Sequence, residues 1–209
     1  MGCCCAGASV PALAFGDASA HSRAMKWEEI DQQACSVARA LSVLGERWTL
    51  LIVRDAFRGT RRFDEFQRSL GVTRHRLAER LRKLVDEGVL TRVAYMDRPT
   101  RYEYRLTRKG LALYPVLMTL SQWGDDWMDD GNGPPTHYRH SLCGHHTRPV
   151  LTCAECSQPL RPEEVSAQPG QVLTAYLDFL RSEGEEVPEA GELAREAARY
   201  WGEHRSEQG

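Results

Sequence analysis

The sequence predicts a mainly α chain with one small β-hairpin, extended at its C-terminus by a small ribbon-like and helical module. Apolar residues recur at helical spacing through five successive stretches between Trp27 and Met128. One period-two stretch around an Asp/Pro turn, at 89–106, interrupts them. A Gly/Pro-rich linker at 131–135 then leads into a part with its own Cys/His pairs.

Residues 27–44 place Ala34, Val37, Ala38, Leu41 and Leu44 on one helical face, with Gly45 as C-cap. A second apolar helix at 47–57 carries Trp48, Leu51, Ile52 and Phe57, and Gly59 ends it. Phe63, Phe66 and Leu70 mark a short third helix at 63–70. Gly71, Val72 and Thr73 make a tight turn, and Thr73 suits the N-cap of the next helix. That fourth helix, at 74–87, has an inward stripe of Leu77, Leu81, Leu84 and Val85. His75, Arg76, Glu79, Arg82 and Lys83 fall on its outward side, with Arg80 at the flank, and Gly88 closes it. Two strands, 89–95 and 101–106, flank a turn at 96–100. Thr107 caps a single fifth helix expected to run to Met128. In the remainder, 172–180 and 193–201 are amphipathic helices with acidic outer faces.

The expected organisation is therefore a tail at 1–24, a helical domain at 25–130, and an acidic module at 131–209 whose first part, 136–166, holds the Cys/His pairs. The chain has 209 residues, 42% of them hydrophobic and 27% charged, which excludes whole-chain disorder, collagen-like repeats and a small disulfide scaffold. Its net charge of −2 hides two opposed blocks. Residues 58–110 hold 15 basic and 7 acidic side chains, whereas 125–209 hold 7 basic and 16 acidic. A basic block of that density is an electrostatic footprint for a polyanion, although a solvated surface gives the same count.

Residues 2–16 carry no charge, but no basic stretch precedes them, as a secretory signal requires. A myristoylation pattern needs Ser or Thr where Ala6 stands. Residues 1–24 are expected to be a disordered tail, and Met25-Lys26-Trp27-Glu28 has the look of a natural start. The uncharged run 110–124 is too short to span a membrane and contains Pro115. A cytoplasmic protein without membrane contact is expected, in a compartment where thiols stay reduced.

Three helices, a tight turn into a basic fourth helix, a hairpin and a closing helix define a winged helix-turn-helix. A helix fits the major groove, where base edges carry a distinguishable donor and acceptor pattern. Its N-terminal residues approach the bases while the preceding helix braces it across the backbone. The hairpin then reaches neighbouring phosphates or the minor groove.

The segment 35–124 resembles the HxlR family of bacterial winged-helix transcription regulators, relatives of the MarR-like group. The resemblance rests on Cys35-Ser36-Val37, on Leu44-Gly45-Glu46-Arg47-Trp48-Thr49-Leu50-Leu51, and on Arg61-Arg62-Phe63-Asp64-Glu65-Phe66. It continues through Leu77-Ala78-Glu79-Arg80-Leu81-Arg82-Lys83-Leu84, Gly88-Val89-Leu90 and Tyr102-Glu103-Tyr104-Arg105-Leu106-Thr107-Arg108-Lys109-Gly110. The resemblance implies a homodimeric, sequence-specific regulator bound to an inverted repeat in double-stranded DNA. By position it places Thr73, Arg74, His75, Arg76 and Arg80 where recognition-helix residues touch DNA. Arg61 and Arg62, at the start of the bracing helix, suit phosphates. Arg98 and Arg101 flank the wing turn and suit a minor groove or a phosphate. Leu117, Leu120, Trp123 and Trp127, with Val37 and Leu41, are candidates for burial against a second copy, with an intramolecular core as the plainer reading.

Of the seven cysteines, Cys35 stands where the resembling family often carries one, and in some members it senses oxidants or electrophiles. Arg39 lies one helical turn away and favours a thiolate. Ser36 follows where the family commonly has proline, and a buried apolar thiol is the alternative. Further on, Cys143 with His146, and Cys153 with Cys156, form C-x2-H and C-x2-C pairs separated by six residues. Such a set suits one structural zinc ion, with His145 or His140 as substitutes for His146. The competing reading is that Cys153 and Cys156 only pack, or form a reversible thiol pair.

The expected function is transcriptional regulation by a DNA-binding homodimer, open to an oxidant or a small-molecule inducer. No catalytic triad, phosphate loop or dinucleotide motif occurs in the sequence, so no enzyme is expected. The alternatives are a protein-docking module with secondary DNA binding and, further off, a thiol- or metal-dependent enzyme.

Overall fold

Helices in the N-terminal half follow the apolar periodicity, and their breaks follow proline, glycine and one long-range contact. A computed structural model of the chain describes residues 26–204; the expected tail, 1–24, lies outside the described residues. The stretch expected as one helix at 27–44 is two elements, a 3-10 helix at Trp27–Gln32 and α1 at Ser36–Leu44. Between them Gln33 and Cys35 are extended. The break coincides with a tertiary bond, because the amide of Ala34 donates to the carbonyl of Ala194, 2.9 Å away.

Three helices follow: α2 at Thr49–Phe57, α3 at Phe63–Leu70 and α4 at Arg74–Asp86. The wing is an antiparallel pair, β1 at Leu90–Asp97 and β2 at Thr100–Leu106, in register from Leu90↔Leu106 to Asp97↔Thr100. A bulge between Ala94 and Met96 leaves Tyr95 without a partner across the ladder. The helix expected to run unbroken from Thr107 is divided into α5 at Arg108–Leu111 and α6 at Tyr114–Trp127. Pro115 sits in the first turn of α6. Proline lacks an N–H and clashes with the preceding turn, so it starts a helix instead of continuing one. The extension ends in α7 at Gln171–Glu183 and α8 at Ala190–His204.

The main core lies between α2, α3, α4 and the wing. Ile52, Val53 and Ala56 from α2, Phe66 from α3, and Leu77, Leu81 and Leu84 from α4 are buried there with Val89 and Leu90. The three leucines stand at i, i+4 and i+7, so α4 buries one stripe and turns the rest of its surface outward. Asp55, also buried, is fully partnered: Arg54 donates to one carboxylate oxygen at 2.9 Å and the Ser69 hydroxyl to the other at 2.7 Å. The Ser69 bond ties α3 to α2. Gly71, at φ +62, ends α3 in the left-handed conformation that lets the chain turn at once into α4. A side chain at Gly110 would collide with the carbonyl of Val89, so glycine lets α5 cross close behind the wing.

A second, smaller cluster joins Tyr176 and Leu180 of α7 to Ala197 of α8, with Ala34 packed against it. The C-terminal helices thus return to the residues just before α1.

Candidate nucleic-acid interface

The first turn of α4 is open to solvent. Thr73 is its N-cap, with extended backbone and no side-chain capping bond. Thr73, Arg74, His75 and Arg76 are all exposed, in sequence, ahead of the buried Leu77. Among the described residues, neither His75 nor Arg76 has a side-chain hydrogen-bond or ion-pair partner. Arg74 is loosely tied, stacked over the Phe63 ring at 4.9 Å and 3.8 Å from the Asp64 carboxylate. Both members of that ion pair are well hydrated, so it is weak and exchangeable.

The other arginines divide into free and committed groups. Arg80 is only 14% exposed and is paired to Glu46 at 3.5 Å and Glu79 at 2.6 Å. It braces α4 against the α1–α2 junction and does not share the open face. Arg61 also turns inward, where its guanidinium donates to the carbonyls of Ala56 at 2.7 Å and Thr60 at 3.3 Å. Arg62 is exposed and lies over Tyr95, 4.8 Å from the ring centre. Arg98 and Arg101 are exposed at the tip of the wing, where the Thr100 hydroxyl closes the turn onto the Asp97 carbonyl at 3.1 Å.

Glu65 anchors the start of α3. Its carboxylate accepts from the amides of Arg62 at 3.0 Å and Arg61 at 3.2 Å. Those amide donors hold its carboxyl below the ordinary carboxylate range.

Two contacts were missed by sequence reasoning. Arg92 lies 3.5 Å from the centre of the Tyr102 ring, and Lys83 donates to the Ser42 carbonyl at 2.7 Å. The first was readable: Arg92 pairs with Tyr104, so Tyr102 is its diagonal neighbour on the same face of the ladder. The second depends on how α4 crosses α1, which no local pattern encodes.

α6 has three distinct sides. Leu117 packs on the main core. Ser121 and Asp126 hold the extension, through a 3.3 Å bond from the Tyr138 hydroxyl and an ion pair with Arg148. Val116, Leu120, Trp123 and Trp127 form a separate exposed stripe, with Trp127 at 75% exposure. Val37 and Leu41 on α1 are exposed as well.

Cys35 is a half-buried free thiol at the N-cap of α1. The Arg39 guanidinium engages the Ser36 hydroxyl at 3.3 Å. In the extension, the four expected zinc ligands do not gather as one group. Cys143 Sγ meets His140 Nδ1 at 3.4 Å, while the ring of His146 stacks on His137 with centroids 5.1 Å apart. Cys153 and Cys156 meet each other; backbone amides of Cys156 and Glu155, and then the Cys156 thiol, hold the Cys153 thiol below its usual value. Among the described residues, no three His, Cys, Asp or Glu side chains surround a common point suited to a metal.

A short bracing helix, a left-handed glycine turn, a helix with an exposed cationic first turn and a β-wing define a winged helix-turn-helix regulator. The HxlR-like helix-turn-helix family model matches residues 43–132, and the chain belongs to that family. It is 46% identical over 142 residues to Rv3095 of Mycobacterium tuberculosis, an uncharacterized HTH-type transcriptional regulator, covering 68% of this chain and 90% of that protein. YvaP of Bacillus subtilis, likewise an uncharacterized HTH-type transcriptional regulator, is 40% identical over 92 residues, 44% of this chain and 85% of that protein. The crystal structure of PA1607 superposes with a TM-score of 0.61 at 39% identity, covering 67% of this chain and 98% of that one. No helix among the described residues is long and apolar enough to cross a membrane.

Proposed function

We propose that this transcriptional regulator acts in the cytoplasm as a homodimer, each α4 entering a major groove of an inverted-repeat operator in double-stranded DNA. The observation that carries the reading is the open first turn of α4. Arg76 has no internal acid partner, although Glu79 and Glu46 are nearby and occupied by Arg80. An uncommitted guanidinium on a helix N-terminal turn is suited to paired hydrogen bonds with guanine. Thr73, Arg74 and His75 lie on the same turn. Arg62, Arg98 and Arg101 supply phosphate or minor-groove contacts, whereas Arg80 and Arg61 act indirectly by holding the helices in place.

The exposed stripe of α6 supports the dimer. Two tryptophans, a leucine and a valine on one solvent-facing stripe are costly for a monomer and ordinary for an interface. A two-fold dimer presents two copies of α4, which a palindromic operator matches. No catalytic role is proposed.

Arg76→Ala is expected to weaken binding to the selected operator about 10- to 100-fold, with a much smaller loss on unrelated duplex. Gel-shift titrations on both DNAs distinguish the outcomes. Equal losses would show that Arg76 touches only phosphate.

Cys35 is the thiol proposed to make binding responsive to oxidants. Its free thiol is half-buried at the N-cap of α1, on the domain that carries α4. Diamide should change the operator affinity of the native chain and leave Cys35→Ser unaffected. The same response in both would remove Cys35 from this role.

A further inference from the structure

The segment between α6 and α7 contains one backbone turn twice, each position displaced by 13 residues. In the first copy His140 donates to the His145 carbonyl, Gly144 to His140 and Thr147 to Tyr138, at 2.9, 2.8 and 2.8 Å. In the second, Cys153 donates to Gln158, Ser157 to Cys153 and Leu160 to Leu151, at 2.8, 2.9 and 2.9 Å. The bridges match too, Arg139↔His146 in one and Thr152↔Pro159 in the other. Gly144 and Ser157 occupy the equivalent left-handed position, at φ +75 and φ +59. Among the described residues, Ser157 is the only non-glycine residue in that conformation, which L side chains rarely adopt.

The repeat decides which side chains are equivalent. His140 corresponds to Cys153, and Cys143 to Cys156, so each turn sets a pair of metal-ligating side chains three residues apart. His146 corresponds to Pro159 and lies outside the pair. The segment also has no core of its own, since no residue from Thr119 to Ala175 is buried. Leu142, Val150 and Leu151 are all exposed. Small units without a core depend on a covalent or metal cross-link.

We infer that His140, Cys143, Cys153 and Cys156 are the ligands of one zinc ion that joins the two turns. Three sulfurs and one imidazole nitrogen suit a tetrahedral structural zinc site. The three thiols release their protons to solvent as the ion binds. In the structure each pair is closed on itself, and the ion replaces those pairwise contacts with one shared centre. Because Tyr138 and Arg148 attach the first turn to α6, the ion stiffens the segment lying against that helix.

The test is zinc stoichiometry in the full chain, reduced and loaded with zinc alone, on a background carrying Cys3→Ser, Cys4→Ser and Cys5→Ser. About one zinc per chain should survive dialysis. His140→Ala, Cys143→Ser, Cys153→Ser and Cys156→Ser should each lose it, and His146→Ala should keep it. Cobalt loading guards against losses caused by misfolding: the native chain should show thiolate-to-cobalt charge transfer, and His140→Cys should bind and strengthen that band. A chain that retains no stoichiometric zinc would overturn the assignment. So would retention in His140→Ala together with loss in His146→Ala.

Discussion

Leu120→Glu combined with Trp123→Glu is expected to convert the proposed dimer to monomers and to lower operator affinity by roughly 1,000-fold. Both side chains are about half exposed in the single chain, so neither is needed for the fold of the monomer. They stand on the same stripe of α6 as Val116 and Trp127. Two carboxylates per subunit would face each other across a two-fold interface. Each would have to be desolvated without a cation, a cost the apolar contact cannot offset. A monomer also engages only one half-site and loses the second set of base contacts. Sedimentation velocity should show the monomer mass while circular dichroism remains native. A variant that stays dimeric and binds operator normally would place the interface on another surface.

Phe66→Ala should produce the largest loss of stability, about 3–5 kcal/mol. The ring is fully buried, stands edge-on to Tyr104 with centroids 6.5 Å apart, and sits in the cluster shared by α2 and α4. It therefore joins α3 to both α4 and the wing. Removing it leaves a cavity among groups fixed by backbone structure, and a domain of ordinary stability has only about 5–15 kcal/mol in reserve. Urea denaturation measures the change. Phe66→Leu, which keeps most of the volume, should retain much of the stability. A loss below about 1 kcal/mol for Phe66→Ala would mean that the core is looser than its burial implies.

Much of the fold was readable from periodicity. The leucine stripe of α4, the Phe63/Phe66/Leu70 spacing of α3 and the alternation around Tyr102 and Tyr104 each specify an element and its buried side. What periodicity missed was set by tertiary contact or by proline. The break at 33–35 accompanies the bond from Ala34 to Ala194, more than 150 residues away in sequence. The division of the closing helix followed from Pro115, whose effect sequence reasoning underweighted against a continuous apolar pattern. On the face proposed to meet DNA, residue type and position predicted exposure for Arg74 and Arg76, but not the inward turn of Arg80 and Arg61. Both carry the same charge as their neighbours, and only the three-dimensional placement of Glu46, Ala56 and Thr60 turns them inward. Likewise, C-x2-H and C-x2-C spacings marked the extension as a metal candidate. The choice of His140 over His146 needed the backbone turns themselves.

Selection of bound sequences from a random double-stranded DNA library by the native full-length chain tests the central claim most directly. The account predicts enrichment of an inverted repeat whose half-sites lie about one helical turn apart. Retention of the library without enrichment of any sequence would contradict it, because the exposed first turn of α4 would then be reading no bases.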